Sequence, residues 1–183
     1  MLNCRWLSAS FALSLVIPLA PTVCTVAQAV PAAPGTSYAL TPPAERKPVP
    51  DFALTGVNGR RITLAHDRGQ VVLLDFWAVD CGGCRIEIPW YVDFDQKYGS
   101  QGLALIGLDM YGESPAKIRP FMVRSHMDYP VAVGTDALGA RFHVTEMPLT
   151  LLIDRKGRVA IAHAGIVDRA RFESDIRTLL AEK

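Results

Sequence analysis

The chain has 183 residues, which is enough for one domain with a sizeable hydrophobic core. Half of the residues are apolar, one fifth are charged, and the formal net charge is +1. Because no basic run or basic face stands out, composition and charge argue against nucleic acid as a partner.

The first 29 residues have the pattern of a secretory signal peptide. Arg5 is the only charged residue before Glu45, residues 6–20 form an apolar run, and Ala27-Gln28-Ala29 resembles a cleavage site. We therefore predict a signal peptide over residues 1–29 and export to the periplasm. Two alternatives stay open. The uncharged run is long enough to tether the protein to the membrane as an uncleaved anchor, and Cys24 is a candidate for lipid attachment.

Cleavage after residue 29 would leave two of the four cysteines, Cys81 and Cys84, in the mature chain. A disulfide between residues so close in sequence closes almost no loop, and disulfides stabilise a fold more as the loop that they close grows. The pair is therefore expected to serve redox chemistry or metal binding rather than stability.

Residues 30–48 are rich in Pro, Ala and Thr, which is typical of an extended linker that buries no core. The folded domain is predicted over residues 49–183. It opens with two short strands around Asn58-Gly59, a strong signal for a β-hairpin.

The rest of the domain alternates between apolar runs of strand length and segments with helical periodicity. Strands are predicted at 71–76, at 103–109, at 131–133 and on both sides of 154–157. Helices are predicted at 81–98, from 114, at 136–142 and from 168. This order predicts an α/β fold with one mixed central sheet flanked by helices and extended by the N-terminal hairpin.

Cys81 and Cys84 lie where a buried strand gives way to the first turn of a helix. Unpaired N–H groups and the positive end of the helix dipole favour a thiolate at Cys81. Cys84, one turn further on, should face inward. An exposed attacking thiolate beside a buried resolving thiol is the arrangement that thiol–disulfide exchange requires, so the motif predicts a protein-disulfide oxidoreductase.

The surrounding residues resemble the thioredoxin superfamily. Residues 75–78, Asp-Phe-Trp-Ala, precede the cysteines as in its active-site signature, and Arg85-x-Glu87-x-Pro89 is similar to the exported TlpA/ResA-like branch. Met147-Pro148 resembles the loop that holds a cis-proline opposite the cysteines, and residues 153–159 resemble the final hairpin. The resemblance covers about residues 49–182 and implies a thioredoxin fold.

The resemblance also implies four catalytic residues. Cys81 would be the nucleophile and Cys84 the resolving thiol, and the two would form a redox-active disulfide. Asp75 matches the buried carboxylate that takes the proton of the resolving cysteine, and Glu87 matches an acidic residue beside the cysteines. A buried carboxyl group has a raised pKa and can exchange a proton near neutral pH. Exported relatives more often carry Asn at the Asp75 position, so this chain is expected to combine two such groups.

Three residues are expected to bind the substrate. Pro148 precedes a strand that the pattern places centrally, where proline cannot donate to the ladder. A cis bond there would leave the backbone of Met147 free to pair with an incoming peptide, and the Met147 side chain offers an adaptable apolar contact. Trp77 is expected to form a packing platform under the active-site turn.

Several departures from the family bear on the direction of the reaction. Gly82-Gly83 stand where Gly-Pro is more usual, and the carboxylate of Asp80 opposes ionisation of its neighbour Cys81. Oxidants of the superfamily stabilise the thiolate of their reduced form. The two glycines cannot stabilise a thiolate and Asp80 opposes it, so these features favour a reductant. Leu149 replaces the threonine common after the cis-proline, which leaves partner specificity open.

The sequence therefore favours an exported enzyme that reduces disulfides in client proteins without a cofactor or a metal. The resemblance implies re-reduction by a membrane thiol reductant and clients in cytochrome c maturation or oxidase assembly. One alternative is a thiol peroxidase, although Leu74 and Ala78 occupy the Pro and Thr positions of its motif. The other is a copper-binding metallochaperone that uses the same two cysteines, although no histidine lies at a ligand-like spacing from them.

Overall fold

The structure is a computed structural model, and it describes residues 39–182. The predicted signal peptide, the two N-terminal cysteines and the predicted linker up to residue 38 lie outside the described residues. Between residues 39 and 182, the helices are all too short or too polar to span a membrane.

Strands and helices alternate along the described chain. The strands are β1 (Ala53–Thr55), β2 (Arg61–Thr63), β3 (Val71–Trp77), β4 (Leu103–Asp109), β5 (Val131–Val133), β6 (Leu149–Ile153) and β7 (Val159–Ala164). The helices are α1 (Gly82–Tyr98), α2 (Pro115–Arg124), α3 (Asp136–Arg141) and α4 (Arg169–Ala181), with 3₁₀ turns at Leu64–Asp67 and Gly99–Gln101. These bounds agree closely with the elements predicted from the sequence.

The main sheet has the strand order β5-β4-β3-β6-β7. Strands β3, β4 and β5 run parallel, whereas β6 runs antiparallel to both β3 and β7. The separate β1-β2 hairpin turns at Asn58-Gly59, where Gly59 has a φ of 84° that favours glycine. The predicted mixed sheet and N-terminal hairpin are therefore confirmed.

Strand β3 is buried on both faces and divides the core into two layers. Val71, Leu73 and Trp77 pack with residues of α1, α2 and α4. The alternate residues of the strand pack on the other face with α3 and the hairpin. Because side chains alternate along a strand, Asp75 lies on the face covered by α1. The sheet thus places this carboxyl group beneath the helix that carries the cysteines.

The end of the predicted linker packs against the domain instead of forming a free spacer. Residues 39–48 include a bridge between Pro48 and Arg158 on the hairpin that joins β6 to β7. The buried guanidinium of Arg46 lies 3.2 Å from Asp154 and 2.7 Å from Glu182 at the C-terminus. The composition of this segment did not reveal these contacts, because they depend on partners more than 100 residues away.

Candidate active site

Cys81 and Cys84 form a disulfide at the start of α1, with an S–S distance of 2.03 Å. Cys81 is the N-cap of the helix, and its Sγ accepts a hydrogen bond from the Cys84 backbone N–H at 3.2 Å. Cys81 is 8% exposed and Cys84 is 1% exposed. Cys81 is thus the more accessible sulfur, and backbone N–H groups at the helix N-terminus are positioned to stabilise its thiolate after reduction.

The Met147–Pro148 peptide bond is cis, as predicted, and it lies against the active-site turn. A Cβ atom added to Gly83 would lie 2.9 Å from Cδ of Pro148 and 3.3 Å from Cγ1 of Ile166. Because residue 83 is a glycine, the active-site turn approaches the cis-proline loop more closely than a larger residue would allow. Gly83 and Pro148 are far apart in the sequence, so the sequence alone did not reveal this contact.

The surface around this contact can receive an extended peptide. Met147 is half-buried, and among residues 39–182 its backbone takes part in no backbone hydrogen bond. Ile86 and Ile166 are 49% and 46% exposed and add apolar area near the cysteines. Sequence reasoning did not single out Ile86 or Ile166 as part of a binding surface. Both isoleucines extend the candidate client-binding surface.

Trp77 does not belong to that surface. Its side chain is fully buried and stacks on Phe121 of α2, with ring centroids 5.4 Å apart. The prediction that Trp77 binds substrate is therefore wrong, because a side chain with no exposed area cannot reach a client. Its position at the end of β3 supports packing beneath the active-site loop instead.

Two buried carboxyl groups lie on the inner side of α1. Glu87, one turn after Cys84, is fully buried, and its Oε1 accepts a hydrogen bond from the Val167 N–H at 2.7 Å. Burial raises the pKa of Glu87 to about 7. Burial and the nearby charge of Glu87 raise the pKa of Asp75 well above its usual value. Glu87 can therefore exchange a proton near neutral pH, and the pKa of Asp75 is shifted in the same direction.

The sequence matches a known family over most of the described domain. Residues 46–162 fit the family model described as the AhpC/TSA family. The chain belongs to this family. The match includes the cysteine turn, the two buried carboxyl groups, the cis-proline and most of β7, and it ends shortly before Ile166 and Val167.

Relatives of this AhpC/TSA-family protein have names that point to one kind of chemistry. Thiol-disulfide oxidoreductase ResA of Bacillus cereus is 32% identical over 135 residues, which are 73% of this chain and 77% of that protein. Thioredoxin-like protein YneN of Bacillus subtilis (strain 168) is 27% identical over 134 residues, or 72% of this chain and 78% of that protein.

A solved structure agrees with these relatives. The thiol:disulfide interchange protein of the thioredoxin family from Chlorobium tepidum TLS superposes with a TM-score of 0.69. It is 26% identical, and the alignment covers 74% of this chain and 97% of that one. Together with the Cys81–Cys84 disulfide, these similarities confirm the predicted thioredoxin-like fold and thiol–disulfide oxidoreductase activity.

The described residues offer no feature that specifically favours a copper-binding metallochaperone or a thiol peroxidase, the two alternatives considered from the sequence. Among residues 39–182, no three His, Cys, Asp or Glu side chains are grouped so as to hold a metal ion. Leu74 and Ala78, which stand at the Pro and Thr positions of the peroxidase motif, are fully buried core residues.

We predict that Gly83→Ala slows disulfide exchange and lowers the free energy of unfolding by about 1–3 kcal/mol, because the new Cβ overlaps the ring of Pro148. Gly82→Ala is the matched control, since nothing lies within 4 Å of its added Cβ. Urea unfolding and insulin reduction measure both effects. Equal behaviour of the two variants would contradict a close contact between residue 83 and the cis-proline loop.

The acidic residue before the nucleophile is paired. Asp80 lies 2.6 Å from the ammonium of Lys117 on α2, and this hydrogen bond and charge lower the pKa of Asp80. Lys117 also pairs with Glu113, which accepts the Val79 N–H at 2.9 Å. The negative charge beside Cys81 is therefore partly compensated, which sequence reasoning did not reveal. This pairing weakens the part of the argument for a reductant that rests on the charge of Asp80.

Proposed function

We propose that this protein is an exported, periplasmic enzyme that reduces disulfides in client proteins. The observation that carries the direction is the pair of buried carboxyl groups, Asp75 and Glu87, on the inner side of the helix that begins at the cysteines. When Glu87 is ionised, its negative charge disfavours a thiolate at Cys84, which lies one helical turn before it on α1. A reduced form that is not stabilised as a thiolate gives up its electrons more readily, which suits a reductant.

The reaction follows from the accessibility of the two sulfurs. The Cys81 thiolate attacks the client disulfide, one client sulfur leaves as a thiolate, and a mixed disulfide joins the client to Cys81. Cys84 then passes its proton to a buried carboxylate and attacks the Sγ of Cys81. The second client sulfur leaves, the Cys81–Cys84 disulfide forms, and two electrons have moved to the client.

The client is held by backbone pairing at the cis-proline loop. The free backbone groups of Met147 suit the addition of an extended client strand, and the surrounding apolar side chains contact residues next to the client cysteine. We propose that a membrane thiol reductant restores the dithiol. Proteins of cytochrome c maturation or oxidase assembly are the proposed clients, and the pattern of residues 1–29 supports export with a cleaved or tethering N-terminus.

The reduction potential of the Cys81–Cys84 couple tests the proposed direction. Equilibration with glutathione or dithiothreitol buffers should give a value of about −250 mV or lower. A value near −120 mV, typical of a strong oxidant, would overturn the proposal that the protein reduces its clients. Catalysed reduction of insulin by dithiothreitol should accompany the low potential.

The Asp80–Lys117 pair yields a further prediction for the thiolate of Cys81. Lys117→Met should lower the thiolate fraction at neutral pH roughly twofold, because Asp80 then acts without its partner. Asp80→Asn should raise that fraction by a similar factor. Alkylation rates of the reduced protein measured against pH report the thiolate fraction. Lys97→Met removes a comparable surface ion pair at the other end of α1 and should change nothing.

A further inference from the structure

The turn that leads into Cys81 lies beside the loop that leads into α2. Strands β3 and β4 run parallel, and their last residues, Trp77 and Asp109, lie side by side in the sheet. The segments that follow the two strands therefore leave the same edge of the sheet next to each other. One is the turn of residues 78–81, and the other is the loop of residues 110–114. Contacts between these two segments can therefore act on Cys81.

Both backbone polar groups of the buried residue Val79 are bound from outside the turn. The carboxylate of Glu113 accepts the Val79 N–H at 2.9 Å, and Nε of Arg85 donates to the Val79 carbonyl oxygen at 2.9 Å. Within the turn, the Cys81 N–H donates to the Ala78 carbonyl oxygen at 3.2 Å. A buried backbone group that lost its partner would cost free energy, so these contacts constrain the turn. We call Glu113, Val79 and Arg85 the Val79 clamp.

The surrounding fold fixes each side chain of the Val79 clamp. The Glu113 side chain is 6% exposed, and the Glu113 backbone N–H donates to the fully buried Asp109 at 2.8 Å. The Arg85 guanidinium lies 5.6 Å from the centre of the Phe121 ring, which stacks on Trp77. The clamp thus connects the turn to the end of β4 through one side chain and to α2 through the other.

The acceptor in the Val79 clamp carries a charge. Burial raises the pKa of Glu113, but hydrogen bonds from Lys117 and from the Val79 N–H outweigh it, so the pKa lies below its usual value. Glu113 is therefore ionised at neutral pH, and an ionised acceptor makes a stronger hydrogen bond than a neutral one. Lys117 also bonds Asp80, so α2 and the loop before it hold two successive residues of the turn.

We propose that Glu113 and Arg85 are positioning residues for the nucleophile Cys81, since together they fix the turn that carries it. The Cys81 Sγ accepts the Cys84 N–H at the helix N-cap, and the preceding turn sets this position. A turn released at Val79 would let the thiolate move away from the N–H groups that stabilise it. The inference rests on the proposed function, in which Cys81 is the attacking sulfur.

The test compares Glu113→Gln with Glu113→Met in the purified, reduced protein. Both substitutions remove the charge, but the glutamine side-chain oxygen can still accept the Val79 N–H and methionine cannot, so their difference isolates the hydrogen bond. Hydrogen exchange of the Val79 amide, measured by NMR, should be about tenfold faster in Glu113→Met than in Glu113→Gln. The pH midpoint of Cys81 alkylation should be about one unit higher, and kcat/KM for insulin reduction roughly tenfold lower.

Arg85→Gln and Arg85→Met form a second matched pair. The glutamine Nε2 lies the same number of bonds from the backbone as the arginine Nε, so it can still donate to the Val79 carbonyl oxygen. Methionine has a similar length and no donor. Both variants lack the positive charge, so we expect Arg85→Met to have the higher alkylation midpoint and the slower insulin reduction of the two.

Glu173→Gln and Glu173→Met are the controls, because Glu173 accepts hydrogen bonds from Lys97 and Tyr98 at the other end of α1. These two variants should not differ in Val79 exchange or in the Cys81 midpoint. Urea unfolding identifies the folded variants, and equal Val79 exchange and Cys81 midpoints within either folded pair overturn the inference. Since exchange and alkylation need no client, a wild-type protein that fails to reduce insulin overturns the proposed function and still leaves the Val79 clamp measurable.

Discussion

Replacing Cys84 with serine is expected to trap client proteins on the enzyme. Cys81 can still attack a client disulfide, but the serine hydroxyl cannot resolve the mixed disulfide, so the adduct persists. Catalysed reduction of insulin should fall by roughly a thousandfold or more, as expected when one member of a catalytic unit is removed. Non-reducing gels of periplasmic extracts, followed by mass spectrometry of the trapped species, would detect the adducts.

Cys81→Ser provides the matched control for the trapping experiment. Cys84 is 1% exposed, so it should not capture clients when Cys81 is absent. Adducts that depend on Cys81 would support the assigned order of attack. Equal trapping by both variants, or none by Cys84→Ser together with no insulin reduction, would contradict the proposed mechanism.

The buried carboxyl group of Glu87 should make the oxidised protein less stable as the pH rises. Its pKa is about 7 in the fold, against 4.5 for the free side chain, so the folded state binds more protons than the unfolded state between these values. The free energy of unfolding therefore falls as the pH rises through this window and levels off above it. From pH 4 to pH 8 the loss due to Glu87 is about 3 kcal/mol. Asp75 contributes with the same sign.

Glu87→Gln should remove this part of the pH dependence. Urea unfolding at pH 4 and pH 8, with the disulfide intact, measures the change, and comparing slopes with pH cancels the pH-independent effect of the substitution. Glu173→Gln, at a carboxylate that pairs with Lys97 near the surface, is the control. If wild type and Glu87→Gln lost stability equally over this range, Glu87 would not be the group that titrates.

Local sequence signals were sufficient for the fold and for the position of the cysteines. The buried run at residues 71–77 and the polar N-cap residues Ser114 and Asp168 mark strand and helix limits through neighbouring residues. Such signals depend on backbone geometry over a few residues, so a single sequence reveals them. The same reasoning placed Cys81 and Cys84 at the start of a helix, and the structure has Cys81 as the N-cap of α1.

The contacts that tune the site were decided by the tertiary structure. Glu87 finds its hydrogen-bond donor in Val167, 80 residues further along the chain, and the Val79 N–H finds its acceptor in Glu113. Asp80 meets Lys117 only because α2 packs beside α1 on the same face of the sheet. These pairings depend on strand register and helix packing, which bring distant residues together. The sequence therefore determined where the redox-active cysteines lie, and only the folded chain decided which charged and polar groups surround them.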